Sequence, residues 1–317
     1  MTDTQNEVFK TPVNKIRLFE HGAPGSQNLK LTRKYYTEDM PDGRVKHIVQ
    51  NITDPDIVPY IPDGIGNSTD RQRIPAVLII PGGAFRRLVY NFEGEDVAKW
   101  LNSMGIAAFV LECRLPSDEH DNAEDVPLID AMRAMRVIRG RAQEFGIDKA
   151  KIGVMGFSAG GFMAALLSTA YESDVYADYK YKDEYDKLSA RPDFAVCSYP
   201  VISIDDCIEA GKRYMSEEQV LERISDSKAK ILHKYNPDKL VRPDMPPVFI
   251  CETDDDRTTL SENSVGFYMA ARKAGVSAEL HIFRTGGHGY GCGDDFAQTG
   301  EWKVLFTKWI KSIGIIS

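Results

Sequence analysis

The chain has 317 residues, enough for one large domain or two small ones. Apolar residues make up 43% and charged residues 27%, the balance of an ordinary globule with a sizeable core. The formal net charge is −8 and no Lys/Arg cluster interrupts it, which argues against nucleic acid or an anionic membrane and fits a neutral small molecule or sugar.

Residues 1–72 are polar with short apolar patches, and read as a segment wrapping the core rather than a domain of its own. Residues 47–52 and 57–61 fit edge strands, limited by Pro55, Pro59 and Pro62, and residues 64–70 read as a loop. A regular alternation then begins. Continuous apolar runs at 76–80, 106–111, 152–155, 194–199 and 248–251, and a further run at 278–283, have strand length. Between and after them, residues 93–104, 126–145, 260–274 and 302–313 show helical spacing, with Pro127 opening one helix and Gly105 and Gly275 closing two others. Strands that are apolar on both faces and alternate with helices mean a mostly parallel central sheet covered on both sides, an α/β fold. Two stretches interrupt the pattern. Residues 171–191 carry five tyrosines (171, 176, 179, 181 and 185) among Asp and Lys, and residues 202–244 are polar, with a helix at 216–233. Both read as insertions leaving the ligand side of the sheet, either solvated surface or a lid whose tyrosines stack on sugar.

The five cysteines, Cys113, Cys197, Cys207, Cys251 and Cys292, are odd in number and have no metal-site spacing. Cys113, Cys197 and Cys251 lie in or beside apolar runs and read as buried free thiols, which suits a reducing cytosol. Residues 1–7 lack a basic and apolar leader pattern, and no apolar run reaches spanning length, so a cytoplasmic location is expected. No metal or organic cofactor is expected, and assembly with further copies of the chain is left open.

The chemistry concentrates at Gly156-Phe157-Ser158-Ala159-Gly160, a G-x-S-x-G pentapeptide between an apolar run and the helix-forming run 162–167. That strand–turn–helix context is what a nucleophile elbow requires, with the flanking glycines leaving room for a strained serine. A serine hydroxyl is a poor nucleophile at neutral pH. It needs a base to accept its proton and an acid to hold that base in one tautomer. In the order Ser…Asp/Glu…His the chain offers Asp254-Asp255-Asp256 beyond the run at 248–251, then Gly286-Gly287-His288-Gly289 beyond 278–283. His288, between glycines, is the candidate base; any one of the three adjacent aspartates can serve as acid. Pro81-Gly82-Gly83-Ala84-Phe85 follows the first buried run, where backbone N–H groups of Gly83 and Ala84 can join that of Ala159 as oxyanion donors.

These residues resemble the α/β-hydrolase superfamily of serine esterases, and more closely the bacterial carbohydrate acetyl esterases of the acetyl xylan esterase group. The resemblance extends over most of the chain: Leu18-Phe-Glu-His-Gly-Ala-Pro-Gly25, Ile79–Phe85 with Glu93-Gly94, Asp130-Ala-Met-Arg-Ala134, Gly153–Gly161, Tyr199-Pro-Val-Ile-Ser203 and Gly286–Gly291 each match a stretch of the family pattern. It implies Asp256 as the triad acid with Asp255 as the fallback, and deacetylation of sugars, such as acetylated xylo-oligosaccharides, through an acetyl-enzyme. Phe162 stands where many relatives carry His, Ala84 where they carry a third glycine, and Arg257 where they carry proline. A general carboxylesterase for apolar acyl chains, a prolyl-oligopeptidase-like peptidase and a non-catalytic binding module on the same scaffold are the alternative readings.

Overall fold

A computed structural model describes residues 9, 12–64, 73–214, 216, 218–219, 227–293 and 297–317. The loop read at 64–70 lies outside the described residues from position 65 onward, as do much of the helix read at 216–233 and the side chain of Cys207.

Eleven strands are described: β1 (Ile16–Arg17), β2 (Lys34–Asp39), β3 (Val45–Gln50), β4 (Asp56–Tyr60), β5 (Ile74–Ile80), β6 (Leu88–Val89), β7 (Ala107–Glu112), β8 (Ile147–Phe157), β9 (Ala195–Ser198), β10 (Val248–Thr253) and β11 (Ala278–Phe283). Eight form one sheet in the order β1-β4-β7-β5-β8-β9-β10-β11, parallel from β7 to β11. β4 is antiparallel to β7, with only the two-residue β1 outside it, so Pro59 sits near the edge as its missing N–H requires. The strands β5, β7 and β10 are buried almost throughout, which is why they read as unbroken apolar runs.

The helices are α1 (Asp96–Ser103), α2 (Val126–Gly140), α3 (Ala159–Ala170), α4 (Ile204–Tyr214), α5 (Ser227–Lys234), α6 (Ser261–Lys273), the single turn α7 (Ala297–Gly300) and α8 (Trp302–Ser312). α1 is preceded by a π-helical turn, Asn91–Glu95, and the helix expected to reach residue 145 ends at Gly140, where a β-carbon would lie 2.3 Å from the Tyr185 ring. The crossover β5–α1–β7 runs one way along the sheet, and β7–α2–β8 and β8–α3–β9 run the other. Right-handed crossovers therefore put α1 on the face opposite α2 and α3. Trp100 of α1 packs edge-on against Trp302 and Phe306, so α8 shares the α1 face. The reversal falls between β5 and β8, and at such a switch point the carboxyl ends of the strands leave a crevice. Both Pro81 and Ser158 lie there.

The segment before β5 is tied down by buried charge. Glu112, fully buried at the end of β7, accepts from Lys15 Nζ at 2.7 Å, Arg33 Nη1 at 2.7 Å and Tyr35 Oη at 2.8 Å. Arg114 and Asp130 form a second pair, both fully buried, with Nη2 2.7 Å from Oδ1. Arg114 also donates to Pro24 O and to Ser26 Oγ, while Arg133 donates to Leu18 O at 2.8 Å. The stretches 18–25 and 130–134, which match the family pattern separately, are thus two sides of one contact. The sequence reading gave no strand to residues 34–39; they pair with β3 in a small β2-β3-β6 sheet, and being at most half-buried they carry no continuous apolar run.

The two insertions differ. Residues 202–244 do leave the carboxyl end of β9: the N–H groups of Ile202 and Ser203 donate to Asn263 Oδ1, and Lys234 and Tyr235 reach Asp125 at the start of α2. Residues 171–191 take another course. They start where α3 ends, at the far side of the sheet from Ser158, and run along α2 through Arg133–Asp183 and Arg136–Tyr176 contacts. Tyr171 and Tyr176 are buried, and the Tyr176, Tyr179 and Tyr171 hydroxyls bond to Asp186, Gly22 O and Asp244. The Tyr171 and Tyr176 rings are structural packing, whereas Tyr181 is exposed, a division the sequence cannot make because both uses want tyrosine beside polar groups.

Cys113, Cys197, Cys251 and Cys292 are buried and in no disulfide among the described residues, and burial pushes the thiols of Cys113, Cys197 and Cys251 up, the last to about 12. Among the described residues no helix is long and apolar enough to cross a membrane.

Removing one partner of a buried pair leaves an uncompensated charge, at a cost of about 3–5 kcal/mol, whereas an exposed pair contributes about 1 kcal/mol at most. Asp130→Ala is therefore expected to lower the urea-unfolding free energy by several kcal/mol, and Glu144→Ala, which breaks the surface pair with Arg141, to leave it nearly unchanged.

Candidate active site

The turn from β8 into α3 is set by close backbone approach. A β-carbon at Gly156 would lie 1.9 Å from Gly160 O, and one at Gly160 would lie 1.9 Å from Ile80 O, so neither position admits a larger residue. Ser158 between them takes φ 54° and ψ −117°, a conformation L-residues rarely adopt, and its N–H donates to Ser198 O at 3.0 Å. The strain lifts the side chain out of the helix and into the crevice between β5 and β8.

His288 arrives on the loop after β11. Its Nε2 lies 2.9 Å from Ser158 Oγ and its Nδ1 2.6 Å from Asp256 Oδ2. A carboxylate only accepts, so Nδ1 carries the proton and Nε2 presents its lone pair to the serine hydroxyl. Asp256, 2% exposed, is held in turn: Oδ1 accepts from the N–H of Thr258 at 2.7 Å and Thr259 at 2.9 Å, and Oδ2 from Thr259 Oγ1 at 2.9 Å. Burial alone would push this carboxyl up; the His288 and backbone bonds outweigh it and hold Asp256 below the usual carboxylate range. Asp255 points elsewhere, accepting the Gly287 N–H at 2.8 Å and so bracing the histidine loop through its backbone. The geometry thus joins Ser158, His288 and Asp256 in one chain and leaves Asp255 outside it.

The loop after β5 stands against the elbow, with Gly82 so close that a β-carbon there would meet Ser158 Cβ at 2.9 Å. Ala159 opens α3, so its N–H has no intrahelical acceptor. Gly83 and Ala84 have left-handed φ values of 138° and 57°, and among the described residues no acceptor takes their N–H groups. Phe162 backs this loop, its ring edge-on to Phe85 at 5.6 Å. Ala159 follows the serine directly, and Gly83 and Ala84 continue the loop that Gly82 brings against it.

Sequence reasoning assigned no role to two further groups. Glu93, in the turn before α1, is buried; its Oε2 accepts the Gly82 N–H at 2.8 Å and its Oε1 the Tyr199 hydroxyl at 2.9 Å. Burial pushes this carboxyl up, opposed by nearby His288 and by the bonds from Tyr199 and Gly82. Tyr199 places its ring edge-on to the His288 imidazole, centroids 5.0 Å apart. Their matches to the family pattern were the available signal. Among the described residues, no three His, Cys, Asp or Glu side chains converge as a metal site.

The BD-FAE family model matches residues 65–270, well over half of the chain. An acetylxylan esterase of Xylanibacter ruminicola is 31% identical over 240 residues, 75% of this chain and 45% of that protein. Endo-1,4-beta-xylanase B of Butyrivibrio fibrisolvens is 31% identical over 227 residues, 71% of this chain and 34% of that one. This chain thus spans less than half the length of either curated relative. The crystal structure of an acetyl ester-xyloside bifunctional hydrolase from Caldicellulosiruptor lactoaceticus superposes with a TM-score of 0.70 at 34% identity, covering 96% of this chain and 97% of that one. With its parallel sheet, its strained serine at the switch point and this family match, the chain has the α/β-hydrolase fold and belongs to the BD-FAE family.

Proposed function

We propose that the chain is a serine carboxylic ester hydrolase that removes acetyl groups from carbohydrate hydroxyls, with acetylated xylo-oligosaccharides as the substrate class. The observation that carries the chemistry is the unbroken Ser158–His288–Asp256 chain at the switch point of the sheet. The sugar assignment is supported by the relatives, one an acetylxylan esterase and another an acetyl ester-xyloside hydrolase.

Ser158 Oγ attacks the acetyl carbonyl while His288 Nε2 takes its proton, and Asp256 holds the imidazolium that forms. The carbonyl oxygen becomes an alkoxide facing the N–H groups of Gly83, Ala84 and Ala159. Collapse breaks the C–O bond to the sugar, and His288 returns its proton to the leaving alkoxide. Water, deprotonated by His288, then attacks the acetyl-enzyme and releases acetate and free Ser158.

Ser158→Ala is expected to abolish acetate release from acetylated xylo-oligosaccharides, measured beside the wild type. Release that survives the substitution refutes the mechanism; Ser158-dependent turnover of short activated esters without acetate release from the oligosaccharides refutes the sugar assignment alone.

Loss of the group that fixes the histidine tautomer costs about 10⁴-fold in kcat in the serine-protease case. Asp256→Asn is expected to fall by about that order, while Asp255→Asn, which only weakens the bond to Gly287, stays within about tenfold of wild type. Equal losses in the two variants contradict the assignment of Asp256.

A further inference from the structure

Glu93 and Tyr199 have no part in the proton relay, yet they occupy the junction of every loop that carries it. The Tyr199 hydroxyl accepts the Gly291 N–H at 3.0 Å, so its own proton goes to Glu93 Oε1. The other carboxylate oxygen holds the Gly82 N–H at 2.8 Å, next to the donor positions Gly83 and Ala84. The Tyr199 carbonyl lies 3.3 Å from the hydroxyl oxygen of Thr259, whose own proton and N–H both hold Asp256. Its ring lies against His288, and its N–H donates to Cys251 O at 2.7 Å. Tyr199 does all this from a left-handed φ of 36°, which its surroundings must over-determine. One buried tyrosine and one buried carboxyl therefore link the donor loop, the acid loop and the histidine loop.

A carboxyl without a cationic partner at its oxygens is a poor choice for stability alone, because its desolvation is costly and an apolar side chain of similar volume packs as well. What it supplies is direction. Both of its oxygens accept, one from each side of the crevice, and productive sites require donors held within about 0.5 Å and 10–20° of the reacting geometry.

We propose that Glu93 is a positioning residue of the esterase site: through Gly82 and Tyr199 it holds the oxyanion-donor loop and the histidine loop in a single register. This rests on the ester-hydrolase reading above.

The test is kcat and KM for 4-nitrophenyl acetate, with melting temperatures, in Glu93→Ala, Glu93→Gln and Tyr199→Phe. Loss of one oxyanion donor typically costs 10²–10³-fold, so Glu93→Ala is expected to lower kcat by about 10²-fold with KM changed by less than about threefold. Glu93→Gln still accepts from Gly82 and bridges to Tyr199, and is expected to recover at least about tenfold of that loss. Tyr199→Phe keeps the ring against His288 but frees Oε1, and is expected to lie between the two. A folded Glu93→Ala with kcat near wild type, a loss confined to KM, or Glu93→Gln no faster than Glu93→Ala overturns the proposal. Should Glu93→Ala fail to fold, Tyr199→Phe with wild-type kcat overturns it instead. Wild-type protein without Ser158-dependent ester turnover removes the ester-hydrolase reading itself; Ser158-dependent turnover that is indifferent to Glu93 removes only the positioning role.

Discussion

The approach of the Gly160 carbonyl to the Gly156 α-carbon is the constraint on which the site depends. With no room for a β-carbon at either position, β8 must turn into α3 within one residue, and that residue must take a left-handed conformation. A strained backbone of this kind costs about 1–3 kcal/mol and persists only where packing over-determines it. Here the packing is extensive: α3 is buried along nearly its whole length, and the sheet on which it rests is apolar on both faces. The core is thus the reason the serine can be held in a conformation it would not choose.

Around that fixed point the remaining groups come from loops far apart in sequence, and each is held by more than one bond. Asp256 accepts from two backbone N–H groups and a hydroxyl besides His288. The histidine loop is braced at Gly287 by Asp255 and at Gly291 by Tyr199. Neighbouring aspartates divide the work, one orienting a ring and the other a peptide.

The sequence exposed those parts of the molecule whose physics is local or periodic. Strands buried on both faces must be continuously apolar, and the glycines around Ser158 answer to a steric need confined to five residues, so sheet and elbow were both legible. The choice among Asp254, Asp255 and Asp256 was not, because three adjacent carboxylates present the same chemistry until a loop conformation aims them; only the resemblance favoured Asp256. Glu93 and Tyr199 are 106 positions apart and meet solely through the closure of the sheet, so no spacing rule links them. The tyrosines of 171–191 stayed ambiguous for the converse reason: a ring packed on a helix and a ring offered to a ligand have the same composition around them.

The buried Glu112 has a bearing on how this fold can be divided. Its carboxylate lies under the sheet edge with Lys15, Arg33 and Tyr35 as its partners, all three from the stretch before the family match begins at residue 65. A polypeptide trimmed to that match would keep the acid and discard the cations. The segment ahead of the family match is therefore the counter-charge of the matched core, and any recombination of this scaffold must carry the two together.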